Sequence, residues 1–210
     1  MLWLILSWLF YFFIHSLFAS NRIKAKVAAH YPDVFRNYRV LYNLLACVLL
    51  IPPLYFSYVL PSEMLWASSG IWGLLADGIA LLAVLGFVYT LRDYDIKAFL
   101  GISDQGNSES NSTLKIGFFH RFVRHPWYSF AIVIIWTRDM DVAFLITSLL
   151  VSGYFLVGSR LEEKKLLAEF GSAYETYMKY VPGLLPRPWR YMDKNDVKRI
   201  SSIGESPKRT

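Results

Sequence analysis

Long apolar runs that charged residues hardly enter divide this chain, and that division excludes most soluble folds. The runs are Leu2 to Ala19, Val40 to Leu60, Ile71 to Leu91, Trp127 to Trp136 and Val142 to Val157. A soluble core asks for apolar residues at helical or strand intervals, not for unbroken blocks. A helix crossing a bilayer needs roughly 20 apolar residues, which the first three blocks approach. A hydrophobic fraction of 55% agrees. The expectation is an all-α integral membrane protein with about five transmembrane helices. The last two blocks are short: Val142 to Val157 holds 16 residues, and Arg138, Asp139 and Asp141 interrupt the join before it. They read as a short C-terminal helical hairpin, with four spans plus one re-entrant hairpin as the alternative.

The net charge of +6 over 210 residues matters less than where the charges sit. Asn21 to Arg39 carries Arg22, Lys24, Lys26, Arg36 and Arg39, whereas Pro61 to Gly70 carries no Lys or Arg. Arg92 to Arg124 is basic again, and so is the chain from Arg160 onward. Basic loops stay on the cytosolic side, so this alternation predicts an outside N-terminus and a cytosolic C-terminus, as in a bacterial inner membrane. The first apolar run lacks a basic segment before it and has its basic residues after it, so it reads as a retained span rather than a secretory signal. One domain is expected over 1–192, with a polar basic tail at 193–210 expected to be disordered. Nothing forms a base-reading element, which argues against nucleic acid as a partner. Cys47 stands alone among the cysteines, so no disulfide and no metal set are expected, and it reads as a buried spectator.

Several polar residues interrupt this plan. His15 and Ser16 lie inside the first run, where polar side chains normally face a helix bundle. Arg39 and Asn43 are four apart and share a helical face. Pro52-Pro53 is expected to break or bend the second helix. Ser103 to Ser112 reads as a polar loop suited to a flap, and Leu114 to Val123 as an interfacial segment. Pro126 suits the first turn of a helix. Arg160 to Lys179 has helical periodicity, through Leu161, Leu166, Leu167, Phe170, Tyr174 and Tyr177, and reads as a cytosolic amphipathic helix ended by Val181-Pro182.

Two clusters carry the chemistry. Arg124-His125-Pro126-Trp127-Tyr128 abuts the fourth run, and Glu162-Glu163 leaves the fifth. Titratable groups at a membrane boundary are costly, and two sets flanking one hairpin suggest a polar pocket open to one membrane face. Interfacial anchoring remains the alternative for Arg124-His125, and a solvated helix start for Glu162-Glu163. Together with Phe170-Gly171-x-x-Tyr174-x-x-Tyr177 and Val181-Pro182, the pattern resembles the integral-membrane methyltransferases related to isoprenylcysteine carboxyl methyltransferase and the phospholipid methyltransferases. The resemblance spans about 114–188. His15-Ser16-Leu17-x-Ala19-Ser20, Tyr38-Arg39-x-Leu41-Tyr42-Asn43 and Tyr94-Asp95-Ile96-x-x-Phe99-x-Gly101 are similar to a bacterial branch that includes methanethiol S-methyltransferases and NnrU-like proteins.

That resemblance implies S-adenosylmethionine as methyl donor. It implies cofactor contacts from His125, Pro126, Trp127, Tyr128 and Glu162, and from an upstream stretch near Ser112 to Lys115, with Leu114 in it, and around Phe119 or His120. Arg124, His125 and Arg160 are candidates for the catalytic groups, and Arg160, His15 and Arg39 for substrate contacts. The isoprenylcysteine enzymes place an arginine four residues before the first glutamate; that position is Gly158 here, with Arg160 two before it. A carboxylate such as Glu162 suits ribose hydroxyls or an ammonium group, and Arg124 or Arg160 suits a carboxylate through paired hydrogen bonds. The expected acceptor is a small or lipophilic molecule, foremost a thiol. A prenylcysteine carboxylate or a lipid amine is the alternative, and a non-catalytic membrane accessory of a respiratory or nitrogen-oxide system is the alternative of another class. A thiol, with a reference pKa of about 8.5, gains from a nearby base or positive charge; His125, His120 and His15 are the candidates.

Overall fold

A computed structural model describes residues 1–102 and 114–204, the last four by backbone alone. The loop read as a flap, Ser103 to Ser112, and the end of the tail lie outside the described residues. The helices are α1 (Leu2–Ala19), α2 (Asn21–His30), α3 (Pro32–Arg36), α4 (Tyr38–Val59), α5 (Gly70–Thr90), α6 (Ile96–Leu100), α7 (Pro126–Trp136), α8 (Val142–Phe170), α9 (Ser172–Tyr180) and α10 (Lys194–Gly204). The protein is an all-α membrane protein. Among the described residues α1, α4, α5 with its 3-10 extension to Asp93, and α8 are long and apolar enough to cross a membrane. The fourth apolar run is α7, with 11 residues. At 1.5 Å per residue it rises about 16 Å, roughly half the hydrocarbon thickness.

Local chemistry explains the breaks. The Ser20 hydroxyl accepts from the Ile23 amide and starts α2. The Asp95 carboxylate accepts from the Ala98 amide at 2.9 Å, and Gly101, at φ +81°, ends α6 one turn later. The acids at 139 and 141 also accept from backbone amides, the second as a helix cap. Asp141 caps α8 by accepting from the Phe144 amide at 2.7 Å, and Asp139 accepts from the Ser68 amide at 2.9 Å. Such caps are worth about 1 kcal/mol each.

Contacts group the chain into two compact units. The first is Met1–Gly73, the described part of Tyr94–Asn107, and Arg138–Val151; the second is Leu74–Asp93 with the described parts of Ser108–Thr137 and Ser152–Thr210. In the first unit, Leu4, Trp8 and Ala143 are buried, with Phe12, Leu50 and Phe56 packed around them. A relay of hydrogen bonds joins α1, α8 and α4. Trp8 Nε1 donates to Thr147 Oγ1 at 3.1 Å, Thr147 meets Ser57 at 2.8 Å, and Ser57 donates to the Pro53 carbonyl at 2.7 Å. Polar pairs of this kind hold helices together where lipid removes the hydrophobic drive. α4 runs on through Pro52 and Pro53, rather than breaking there. Cys47, expected to be buried, is exposed on α4. Two short strands, β1 (Met64–Trp66) and β2 (Met140–Asp141), pair antiparallel; at this length neither carries a readable alternation.

The second unit packs around Leu114, Ala173, Tyr174, Tyr177, Val181, Met192 and Ile200. Two expectations change here. The fifth apolar run and the amphipathic segment are one continuous helix, α8, because no proline separates Val157 from Glu162 and Gly158 keeps a negative φ; the break comes at Gly171, whose φ of +53° suits glycine alone. Within the tail expected to be disordered, Lys194–Gly204 forms α10, and Ile200 on it is 2% exposed against the core. A short amphipathic helix gains stability from such packing rather than from propensity, so composition gives little sign of it.

Candidate functional site

The site assembles inside the second unit, from the start of α7 and the last third of α8. Pro126 occupies the first turn of α7 and leaves His125 at its cap with non-helical backbone. The His125 ring is buried and lies between two carboxylates: Nδ1 is 3.3 Å from Glu162 Oε2, and Nε2 is 3.1 Å from Glu163 Oε1. A neutral imidazole has one N–H and would turn a lone pair toward one of these acids, so the geometry favours the doubly protonated ring. Burial alone would lower the pKa of His125, but the hydrogen bonds and charges of Glu162 and Glu163 outweigh it and hold the ring above its usual range.

The two adjacent glutamates play unequal parts. Glu163 has a side chain 13% exposed, and its Oε1 accepts from Arg124 Nε at 2.9 Å and Nη2 at 2.7 Å as well as from His125. Glu162 is 48% exposed, and the Tyr128 hydroxyl donates to its Oε2 at 3.3 Å. Neighbours on a helix point about 100° apart, so one acid is enclosed and the other faces outward. The Tyr128 ring lies parallel to both His125 and Phe155, with centroids 5.5 and 4.8 Å away.

Arg124 also fixes the chain beyond α9. Its Nη1 donates to the carbonyls of Val181 at 2.5 Å and Met178 at 3.3 Å. The Arg124 amide donates to the Pro182 carbonyl at 2.9 Å, the His125 amide to Gly183 at 3.2 Å, and the Ser129 hydroxyl to Leu184. Tyr174, in the core beside this pair, has its pKa raised by burial and by the charge of Glu163. The guanidinium is thus occupied by Glu163 and by helix-end carbonyls, which gives it a positioning role.

His120 sits on the 3-10 turn Phe119–Arg121, and its carbonyl accepts from the Tyr177 hydroxyl at 2.6 Å. Its Nδ1 is 3.8 Å from Asp93 Oδ2. Burial lowers its pKa, and the positive charge of His125 adds to this against the attraction of Asp93. Asp93 lies over the backbone of Gly117, where a Cβ would come 2.0 Å from Oδ2. Position 117 therefore excludes any side chain unless Asp93 moves.

The remaining sequence candidates fall elsewhere. Trp127 packs its ring 5.2 Å from Phe87, and Leu114 is a core residue. Arg160, two residues before Glu162 and about 200° around α8, is exposed. In the first unit, Arg39 donates to the Ala98 carbonyl at 2.5 Å and Asn43 to Phe99 at 3.1 Å, closing the end of α6. His15 Nε2 meets the Tyr42 hydroxyl at 2.8 Å. Sequence reasoning left Glu163 and Asp93 out of the site. Glu163 was visible only as the second of two adjacent acids, and Asp93 only as the point where α5 leaves its apolar run. Among the described residues no cluster of three or more potential ligands could hold a metal.

Curated relatives of this membrane-helix chain carry a methyltransferase name. Over 198 residues, 90% of this chain and 74% of the relative, the sequence is 28% identical to methanethiol S-methyltransferase 2 of Bradyrhizobium diazoefficiens. It is 42% identical over 69 residues to a methanethiol S-methyltransferase of Crocosphaera subtropica, and 38% identical over 73 residues to one of Mycobacterium tuberculosis. These two matches cover 32% and 34% of this chain and 27% and 30% of the relatives. No protein-family model and no solved structure matches the chain. These likenesses support the resemblance to the integral-membrane methyltransferases of the branch related to isoprenylcysteine carboxyl methyltransferase and the NnrU-like proteins.

Proposed function

We propose that the protein transfers a methyl group from S-adenosylmethionine to the sulfur of a small thiol. The reading rests on His125, held between Glu162 and Glu163, with Glu162 left open beside Tyr128. The names of the relatives support sulfur as the acceptor atom. The donor set fits the cofactor: an exposed carboxylate suits its hydroxyl or ammonium donors, and a cluster of aromatic rings suits its adenine and sulfonium. Glu162 and the Tyr128 region would hold it. When bound, the cofactor supplies a methyl group already activated on a sulfonium.

The protein's own task is then alignment and control of one proton. Fixed orientation of two reactants can contribute roughly 7–11 kcal/mol. Arg124 and Glu163 supply it indirectly, by locking His125 and the Val181–Leu184 backbone. A thiol must lose its proton to become a good nucleophile. His125, its pKa raised between two carboxylates, is poorly suited to take that proton. His120, held neutral by burial, takes the thiol proton, and Asp93 stabilises the resulting imidazolium. The deciding experiment incubates purified protein with labelled S-adenosylmethionine and a panel of thiols, prenylcysteines and lipids. Label in a thioether supports the reading; label only in an ester or a lipid amine refutes the thiol assignment, and no transfer at all refutes the activity.

A further inference from the structure

A chain of four partly exposed aromatic rings runs along the second unit away from the site. Tyr89, in the last turn of α5, lies 6.1 Å from Phe118; Phe118 lies 5.6 Å from Phe122; and Phe122 stacks on Tyr191 at 6.1 Å. Their exposures are 43%, 48%, 36% and 52%. Two arginines lie over the ribbon, Arg92 at 5.2 Å from the Tyr89 centroid and Arg121 at 5.9 Å from that of Phe122. Arg121 also donates from Nε to the Met192 carbonyl at 2.8 Å, which carries Tyr191 into the row.

We propose that this ribbon is a membrane-interface surface that takes acidic phospholipid, with the rings at the headgroup boundary and the two guanidiniums on lipid phosphates. Three observations select this occupant. The ribbon begins where a membrane-length helix ends, at Tyr89 and Arg92, so it is continuous with the edge of the bilayer. Amphipathic aromatic rings are the side chains that favour that depth. An arginine stacked on a ring keeps its N–H edge for bidentate contact with a phosphate, and Arg92 and Arg121 give the ribbon two such edges, with Asp93 lying over Gly117 and Asp193 beside Arg121 as the neighbouring acids. The surface has a consequence for the site, because Phe118 to Phe122 directly precede Arg124 and His125. Lipid bound there steadies the segment that holds the imidazolium. The inference stands independently of which acceptor is methylated.

The test uses the full chain with Cys47→Ser, carrying one nitroxide-labelled cysteine at Phe122, at Tyr191 or, as a water-exposed control, at Lys165. Vesicles are made of phosphatidylcholine alone or mixed with phosphatidylglycerol. Relaxation by oxygen, which concentrates in lipid, is compared with relaxation by a nickel chelate, which stays in water. Oxygen should dominate at 122 and 191 and nickel at 165, and phosphatidylglycerol should deepen the first two. Arg92→Gln should remove that deepening while leaving the oxygen preference; this variant spares the Arg121–Met192 bond and so keeps the fold. Nickel-dominated relaxation at both ribbon positions overturns the proposal. So does spin–spin broadening at 191 that disappears on dilution with unlabelled chain, since that assigns the face to a second copy. A depth unchanged by phosphatidylglycerol overturns the acidic-lipid assignment.

Discussion

Two arginines in this molecule do the same local job in different company. Arg39 closes the end of α6 by donating to a carbonyl, with Asn43 beside it. Arg124 closes the end of α9 in the same manner, on Val181 and Met178. Beneath Arg124 lies Glu163, and Glu163 also holds His125; no carboxylate bonds Arg39 among the described residues. The contrast shows that a cation at a helix end is structural by default. It becomes part of a site only when a shared carboxylate couples it to a titratable group with an open neighbour.

Removing that shared acid should have the largest effect. Glu163→Gln leaves two enclosed cations against a neutral amide, and breaking a buried pair in this way costs about 3 kcal/mol. Thermal unfolding in detergent should show the loss, and methyl transfer should fall more than about 100-fold if misplacement removes close to 3 kcal/mol of transition-state stabilisation. Retention of near-normal turnover would separate the clasp from the chemistry. Glu162→Gln should do the opposite to the two readouts. It is partly exposed, so stability should change by no more than about 0.5 kcal/mol, while the melting shift given by S-adenosylhomocysteine disappears. A full ligand shift in this variant would remove Glu162 from the cofactor site.

His120→Asn should lower kcat at neutral pH while leaving that ligand shift in place, and the deficit should shrink as pH approaches the thiol's own pKa of about 8.5. A pH-independent deficit would deny His120 the proton. Stability should also depend on the two histidines with opposite signs. His125 has a raised pKa in the fold, so its pairing stabilises fully below its unfolded value of 6.5 and fades as pH rises through the folded value. His120 has a lowered pKa, so the unfolded chain binds more protons there and stability drops as pH falls below 6.5. Melting curves across pH for each histidine variant would separate the two limbs. The smallest change is expected from Arg39→Ala, about 1 kcal/mol or less for an exposed hydrogen bond. A loss of ligand binding comparable to that of Glu163→Gln would erase the distinction between the two arginines.

Much of the architecture was legible because bilayer thickness imposes a length on apolar runs. Leu2–Ala19 matches its run residue for residue, and the runs at 40 and 71 are each displaced by two residues or fewer at either end. The meeting of His125 and Glu162 was legible because their side-chain chemistry is compressed into motifs. It was illegible where the partner is backbone or distant in sequence: the carbonyls of Val181–Leu184, the pairing of β1 with β2, and the burial of Ile200. The roles of Glu162 and Glu163 were indistinguishable as letters, because only helix rotation tells which acid is enclosed.

Gly117 has a bearing on how functional screens of this protein should be interpreted. With the Asp93 carboxylate lying where its side chain would begin, even alanine there must displace an acid that stands beside His120. A saturation screen would flag the position as indispensable, although glycine brings no reactive atom. The phenotype would belong to Asp93, and restoring room by shortening or removing that acid, rather than varying residue 117 further, is the rescue that would reveal it.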